Sequence, residues 1–186
     1  MTRFLNYTAL VIISLSIFAT HTHAAPLVSE HERWNGLQQM HKVTLRTSLS
    51  YEPIYRMDDD ANYTGSSGIF WDNKLTVNFN ADVSPYIGIT IGAGDAFYFF
   101  GNIGLEKALN YNNGLSIVPS LGIHAGLVGY SQSFYLAGAH AFVELTSCRR
   151  RFNPYLTVGI RYTHIFDVDV RDGLSFPLGL GLLLRI

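Results

Sequence analysis

Leu174 to Ile186 reads LSFPLGLGLLLRI. At a period of two, one face carries Phe176, Leu178, Leu180, Leu182, Leu184 and Ile186. The other carries Ser175, Pro177, Gly179, Gly181, Leu183 and Arg185. Alternation of this kind is the signature of a β-strand with two chemically different sides. One side here is apolar and the other small or polar.

The same split recurs upstream. Residues 41–52 set Val43, Leu45, Thr47, Leu49 and Tyr51 against Lys42, Thr44, Arg46, Ser48 and Ser50. Residues 70–82 set Leu75, Val77 and Phe79 against Lys74, Thr76, Asn78 and Asn80, the cleanest dyad repeat in the chain. Further strands are expected over 85–93, 96–107, 114–129, 133–146 and 154–164. With the closing strand they make about eight. Turn-forming clusters separate them, among them Gly92-Ala93-Gly94-Asp95 and Asn110 to Gly114. Strands of about 10 residues match a tilted membrane crossing.

Composition agrees with this pattern. Charged residues make up 15% of the chain, against roughly 25% in ordinary soluble domains. Gly (17), Tyr (11) and Phe (12) are abundant. A water-facing outer surface carries more Lys and Glu than this polar face does. After residue 25 every apolar stretch is soon interrupted, so a spanning helix is not expected. Only helices and closed barrels satisfy their backbone groups in lipid. The fold class predicted is therefore all-β: a closed antiparallel up-and-down transmembrane β-barrel of about eight strands. Secreted soluble barrels are the competing class.

The first 24 residues read as a signal peptide. Arg3 precedes the apolar run Tyr7–Ala19, and Thr22-His23-Ala24 offers small residues for cleavage. That run is shorter than the roughly 20 residues a spanning helix needs. Residues 25–40 are polar and irregular and read as a periplasmic lead-in, leaving 41–186 for the barrel. A net charge of −1 and the absence of a basic face argue against nucleic acid as a partner. The single cysteine, Cys148, cannot form an intrachain disulfide. No residue pattern calls for a cofactor.

The polar faces gather Arg46, Lys74, Glu106, His124, His140, Glu144, Arg161 and Arg185. Burying these singly is costly, so a lumen network of paired charges is expected. An eight-stranded barrel has room inside for side chains and little else. His140 and Glu144 share one face, which raises acid–base chemistry as a possibility, but no motif sets a nucleophilic serine beside them. Tyr55, Phe70, Trp71, Phe97, Tyr130, Tyr135, Tyr155, Tyr162 and Phe166 fall near expected strand ends, where interfacial belts sit.

A signal peptide, about eight dyad-repeat strands and Gly-studded hairpins such as SPYIGITIGAG (84–94) resemble the small outer-membrane barrels of Gram-negative bacteria, of the OmpA and OmpX kind. The resemblance implies the cell outer membrane, a monomer, a surrounding of membrane lipid and lipopolysaccharide, and folding by the barrel-assembly machinery. Such barrels usually end in an aromatic residue, whereas this chain ends in Ile186. The resemblance also implies that the chain ends face the periplasm. The connections at 53–69, 92–96, 129–133 and 165–173 then face outside, the first and last being long and adjacent.

Both long connections are acidic. Asp58 and Asp60, with Asn62, have the one-three-five spacing of a calcium loop. Tyr63 and Ile69 stand where its Gly and Glu belong, so this is no EF-hand. Asp58, Asp60, Asp167 and Asp169 are the candidate ligands for a divalent cation shared by the two loops.

Two enzyme families share this architecture, a lipid A palmitoyltransferase and a lipid A deacylase. Val158 to His164 is similar to the stretch leading into the deacylase's His-x-Ser motif, but Phe166 occupies the serine position. The balance of the sequence favours a non-enzymatic barrel with a structural or surface-interaction role. A lipid A-modifying enzyme is the alternative, and a narrow solute conduit the third reading.

Overall fold

The computed structural model describes residues 43–58, 63–78, 83–111, 114–147, 152–166 and 170–186. The expected signal peptide, lead-in and Cys148 lie outside them. The described residues form ten strand segments: β1 (Val43–Asp58), β2 (Tyr63–Val77), β3 (Ser84–Ala93), β4 (Phe97–Glu106), β5 (Leu109–Asn110), β6 (Leu115–Gly129), β7 (Ser133–Ser147), β8 (Phe152–Ile165), β9 (Val170–Ser175) and β10 (Leu178–Arg185). β5 continues β4 in the same register on β6, and β10 continues β9 past a break at Phe176-Pro177. Ten segments thus make eight crossings.

Every pairing is antiparallel, and the order β1-β2-β3-β4-β6-β7-β8 closes through β9 and β10 back onto β1. At the closure Leu49 stands opposite Leu180 and Thr44 opposite Arg185. Among the described residues this closure pairs every crossing with a neighbour on both sides, as lipid requires. The hairpins follow turn chemistry. Gly114 holds φ = 84°, a left-handed conformation that glycine adopts without Cβ strain, and its N–H donates to the Tyr111 carbonyl at 2.9 Å.

Alternation sorts the side chains by face. Leu49, Ile87, Ile103, Ile123, Leu178 and Leu180 point outward and stay exposed, Leu180 at 71%. Arg46, Glu52, Glu106, His124, His140, Glu144 and Arg161 point inward and are buried. An apolar exterior around a polar interior inverts the soluble pattern, and this is the arrangement of a transmembrane barrel.

Two expectations are corrected. Pro53–Asp58 and Tyr63–Ile69 are not a long loop but the upper part of the β1–β2 hairpin, paired without interruption from Val43↔Val77 to Met57↔Tyr63. The last connection shortens likewise, since β9 begins at Val170 and pairs with both β8 and β1. Gly65, Ser66, Ser67 and Gly68 lack apolar alternation, so the segment reads as loop in sequence. Above the bilayer a strand needs no apolar face, and the hydrogen-bond ladder alone carries it. The second correction concerns Phe70 and Tyr155, expected in the aromatic belt. They are 2% and 5% exposed and lie in the lumen.

Candidate functional site: lumen and loop-end rim

Cross-strand register assembles the lower ion cluster. Arg46 on β1 lies directly opposite Lys74 on β2. Both reach across the lumen to Glu106 on β4 and Glu144 on β7. Arg46 Nη1 lies 2.7 Å from Glu106 Oε1, and its Nε 3.0 Å from Glu144 Oε2. Lys74 Nζ lies 3.0 Å from Glu106 Oε2 and also meets Glu144. Arg46 Nη1 donates as well to Thr76 Oγ1 at 2.8 Å. Two cations and two carboxylates therefore form a closed square spanning four strands. Burial at this density is sustainable because each charge faces two of opposite sign.

A second cluster lies nearer the loop end. Arg161 on β8 donates to Glu52 Oε1 at 2.6 Å and to Asp72 Oδ1 at 3.0 Å. Glu52 also accepts from Ser175 at 3.0 Å and Ser50 at 3.2 Å. The Arg161 guanidinium sits 4.9 Å from the Phe100 ring centre and 5.4 Å from those of Phe70 and Phe142, within cation–π range. Glu52 and Asp72 were not among the expected lumen residues. Parity was the available signal, because they share their faces with Arg46 and Lys74.

Between the clusters runs a chain of hydrogen-bonded groups. Tyr86 Oη and His140 Nε2 are 2.6 Å apart, His140 Nδ1 and His124 Nδ1 3.4 Å, and His124 Nε2 and Thr163 Oγ1 3.1 Å. Gly122 makes room for it, since a Cβ there would come within 2.3 Å of Tyr86 Oη and 2.7 Å of His140 Nε2. His140 is engaged by Tyr86 and His124, and Glu144 by Arg46 and Lys74. The expected neighbours on one face are thus committed to different partners. Arg185 lies apart from both clusters at the terminal end, where Nη2 donates to the Ser147 carbonyl at 3.3 Å.

The loop end is plugged by Ile54, Phe70, Tyr98, Val128, Leu136 and Ile165. Arg56 closes over this plug, bonded to Asp95 and Tyr98 and lying 5.6 Å from the Tyr130 ring centre. Small cavities remain between these groups among the described residues. One of about 40 Å³ is bordered by Ser50, Asp72, Asn102, His140 and Glu144. Another, of about 20 Å³, is bordered by Glu52, Tyr98, Phe100 and Arg161. Each has room for a few waters at most.

Of the candidate metal ligands, Asp58 ends β1 in register with Val170. Asp60, Asp167 and Asp169 lie outside the described residues. No group of three or more His, Cys, Asp or Glu gathers among the described residues.

The outer face carries a polar cluster at its loop end. His164 on β8 pairs with Asp172 on β9. His164 Nδ1 lies 2.9 Å from Asp172 Oδ1, and Tyr162 Oη donates to the same oxygen at 2.7 Å. Phe166 packs edge-on against the imidazole. A histidine oriented by a carboxylate makes two of a triad's three members, and Phe166 supplies no nucleophile.

No protein-family model matches the chain, and no curated protein matches it. Solved structures do. The crystal structure of Neisserial surface protein A is 14% identical, with 76% of this chain and 97% of that one covered and a TM-score of 0.51. Ail, the attachment invasion locus protein of Yersinia pestis, is 16% identical over 77% of this chain and 99% of its own, with a TM-score of 0.46. At 14% identity the likeness to the Neisserial protein is one of fold, that of the small outer-membrane barrel.

Proposed function

We propose that this protein is a monomeric barrel of the cell outer membrane, non-enzymatic, with a sealed body that anchors a contact surface at the loop-end rim. The observation that carries this is the uneven height of the wall. β2 pairs with β3 only as far as Ile69↔Ala93, whereas it pairs with β1 up to Met57↔Tyr63. The Phe176 N–H donates to the Pro53 carbonyl at 3.2 Å, so odd-numbered β1 residues direct their backbone groups to β9 and β10 and even-numbered ones to β2. Thr64 and Ser66 therefore bond to β1, while Tyr63 and Gly65 turn their N–H and C=O toward the low side of the rim. Such an edge suits an extended partner segment held by backbone hydrogen bonds. The resemblance to small outer-membrane barrels supports a rim at the cell surface, in contact with lipopolysaccharide, and insertion by the barrel-assembly machinery. The ion-paired, plugged lumen argues against a solute conduit.

One observation favours a second reading, lipid A modification. His164 and Asp172 face outward at the loop end of the wall, and Asp172 holds the imidazole as a general base requires. Mass spectrometry of lipid A from cells with and without the protein separates the two. An unchanged acylation pattern is expected. A loss of acyl chains that His164→Ala abolishes would replace the first reading with the second.

A further inference from the structure

The two lumen histidines sit on two copies of one short pattern. Gly122-Ile123-His124 on β6 and Gly138-Ala139-His140 on β7 both read Gly-x-His. The antiparallel register sets Gly122 opposite His140 and His124 opposite Gly138. Each ring therefore uses the space left by the glycine of the neighbouring strand. A Cβ at Gly122 would come within 2.7 Å of His140 Nε2, and one at Gly138 within 2.8 Å of His124 Nε2. Both histidines are buried, His124 at 3% exposure and His140 at 5%.

The rings meet head to head. His124 Nδ1 and His140 Nδ1 are 3.4 Å apart, and the ring planes differ by 28°. The ring centres are 5.7 Å apart, which equals that distance plus two ring radii of roughly 1.15 Å each. No larger separation is compatible with the contact, so both nitrogens lie on the line between the centres and each points straight at the other. As an N–H···N bond, 3.4 Å is long. A metal–imidazole bond is about 2.0 Å, so two nitrogens on opposite sides of one ion stand about 4 Å apart. The far nitrogens have the partners that ligating histidines need. His140 Nε2 lies 2.6 Å from Tyr86 Oη, and His124 Nε2 3.1 Å from Thr163 Oγ1. A metal-bound imidazole donates its other N–H to such an acceptor. Movement of His124 toward Thr163 would widen the gap between the rings and shorten that bond.

We propose that His124 and His140 bind one copper(I) ion, a soft monovalent cation held linearly between their Nδ1 atoms. Linear coordination needs two ligands, and imidazole suits copper. No group of three or more His, Cys, Asp or Glu forms among the described residues, so zinc, which takes four ligands, does not fit. The flanks are apolar. The Phe100 ring lies 4.8 Å from that of His124, and the Phe142 ring 4.9 Å from that of His140, centre to centre. Arg161 stands opposite His140 and opposes any cation, but Glu52 and Asp72 hold its guanidinium. A single charge meets less of that repulsion than a divalent one. The site rests on the lumen alone and stands whichever function the rim serves.

The test uses the full mature protein carrying Cys148→Ser, which removes the thiol as a competing soft ligand. Copper(I) is supplied anaerobically during refolding into detergent, so that the plug at the loop end does not bar its entry. One copper per barrel is expected. Its X-ray absorption spectrum should show two nitrogen neighbours with the outer-shell scattering of imidazole, and no sulfur. Thr163→Val keeps both ligands and removes the acceptor of His124 Nε2. It should weaken copper(I) binding about tenfold against a competing chelator. His124→Phe and His140→Phe should each abolish retention, with folding checked by circular dichroism. The spectrum of the Cys148→Ser protein decides the matter even where these two variants do not fold. Copper that is not retained, that has sulfur neighbours, or that stays bound in a folded His124→Phe barrel overturns the proposal. The pair would then be a plain N–H···N bond.

Discussion

At the scale of single residues, stability depends on whether each buried charge keeps its partners. Arg46 serves two carboxylates and Thr76 at once. Arg46→Met leaves Glu106 and Glu144 with Lys74 alone, and should cost about 3–5 kcal/mol in denaturant unfolding from lipid vesicles. Lys74→Met combined with Glu144→Gln removes one charge of each sign, and should cost less than the sum of the two single changes. Gly122→Ala tests packing instead. Its Cβ meets Tyr86 Oη, His140 Nε2 and the Ile103 carbonyl at 2.3–2.7 Å. Overpacking of about 1–3 kcal/mol is expected in the same unfolding measurement. Much at this scale was legible from parity: Thr44, Arg46, Ser48 and Ser50 face inward as the alternation says. Partner choice was not. Arg161 meets Glu52 across 109 residues of chain and Asp72 across 89, and no local pattern encodes such a pairing. His140 and Glu144 illustrate the opposite error, for residues four apart on a strand are about 13 Å apart and do not meet merely by sharing a face.

At the scale of elements, the β1–β2 hairpin departs most from what its sequence suggests. Pro53 and the Gly-Ser run at 65–68 carry turn chemistry, yet both lie in paired strand. Pro53 is tolerated because its carbonyl, which accepts from Phe176, is the only hydrogen-bonding group its backbone has to place. Amide exchange checks the edge directly. In the folded barrel the Ser66 N–H, bonded to β1, should exchange slowly, and the Gly65 N–H, turned to the open side, rapidly. Equal protection at the two amides would mean that another segment covers the edge. The closing element shows the reverse case. The break at Phe176-Pro177 divides β9 from β10, but the alternation runs through it without changing face, so one crossing was readable across two segments.

For the molecule as a whole, the apolar plug, the two ion clusters and the hydrogen-bonded chain between them occupy most of the lumen among the described residues. Reconstituted into planar bilayers, the protein should show no stepwise conductance at moderate voltage. Regular steps in the wild type would mean that the plug opens and would favour the conduit reading. Sequence by itself determined the wall: the alternation of its two faces, with Phe70 and Tyr155 assigned to the wrong side, and that about eight strands close into a barrel. A period of two needs only the local backbone, and a bilayer outside a narrow lumen imposes opposite chemistries on its two faces. Tertiary structure alone decided the height of the rim, the composition of each ion cluster, and the meeting of His164 with Asp172. Those depend on register between strands and on ring closure, which bring together residues that no local spacing relates.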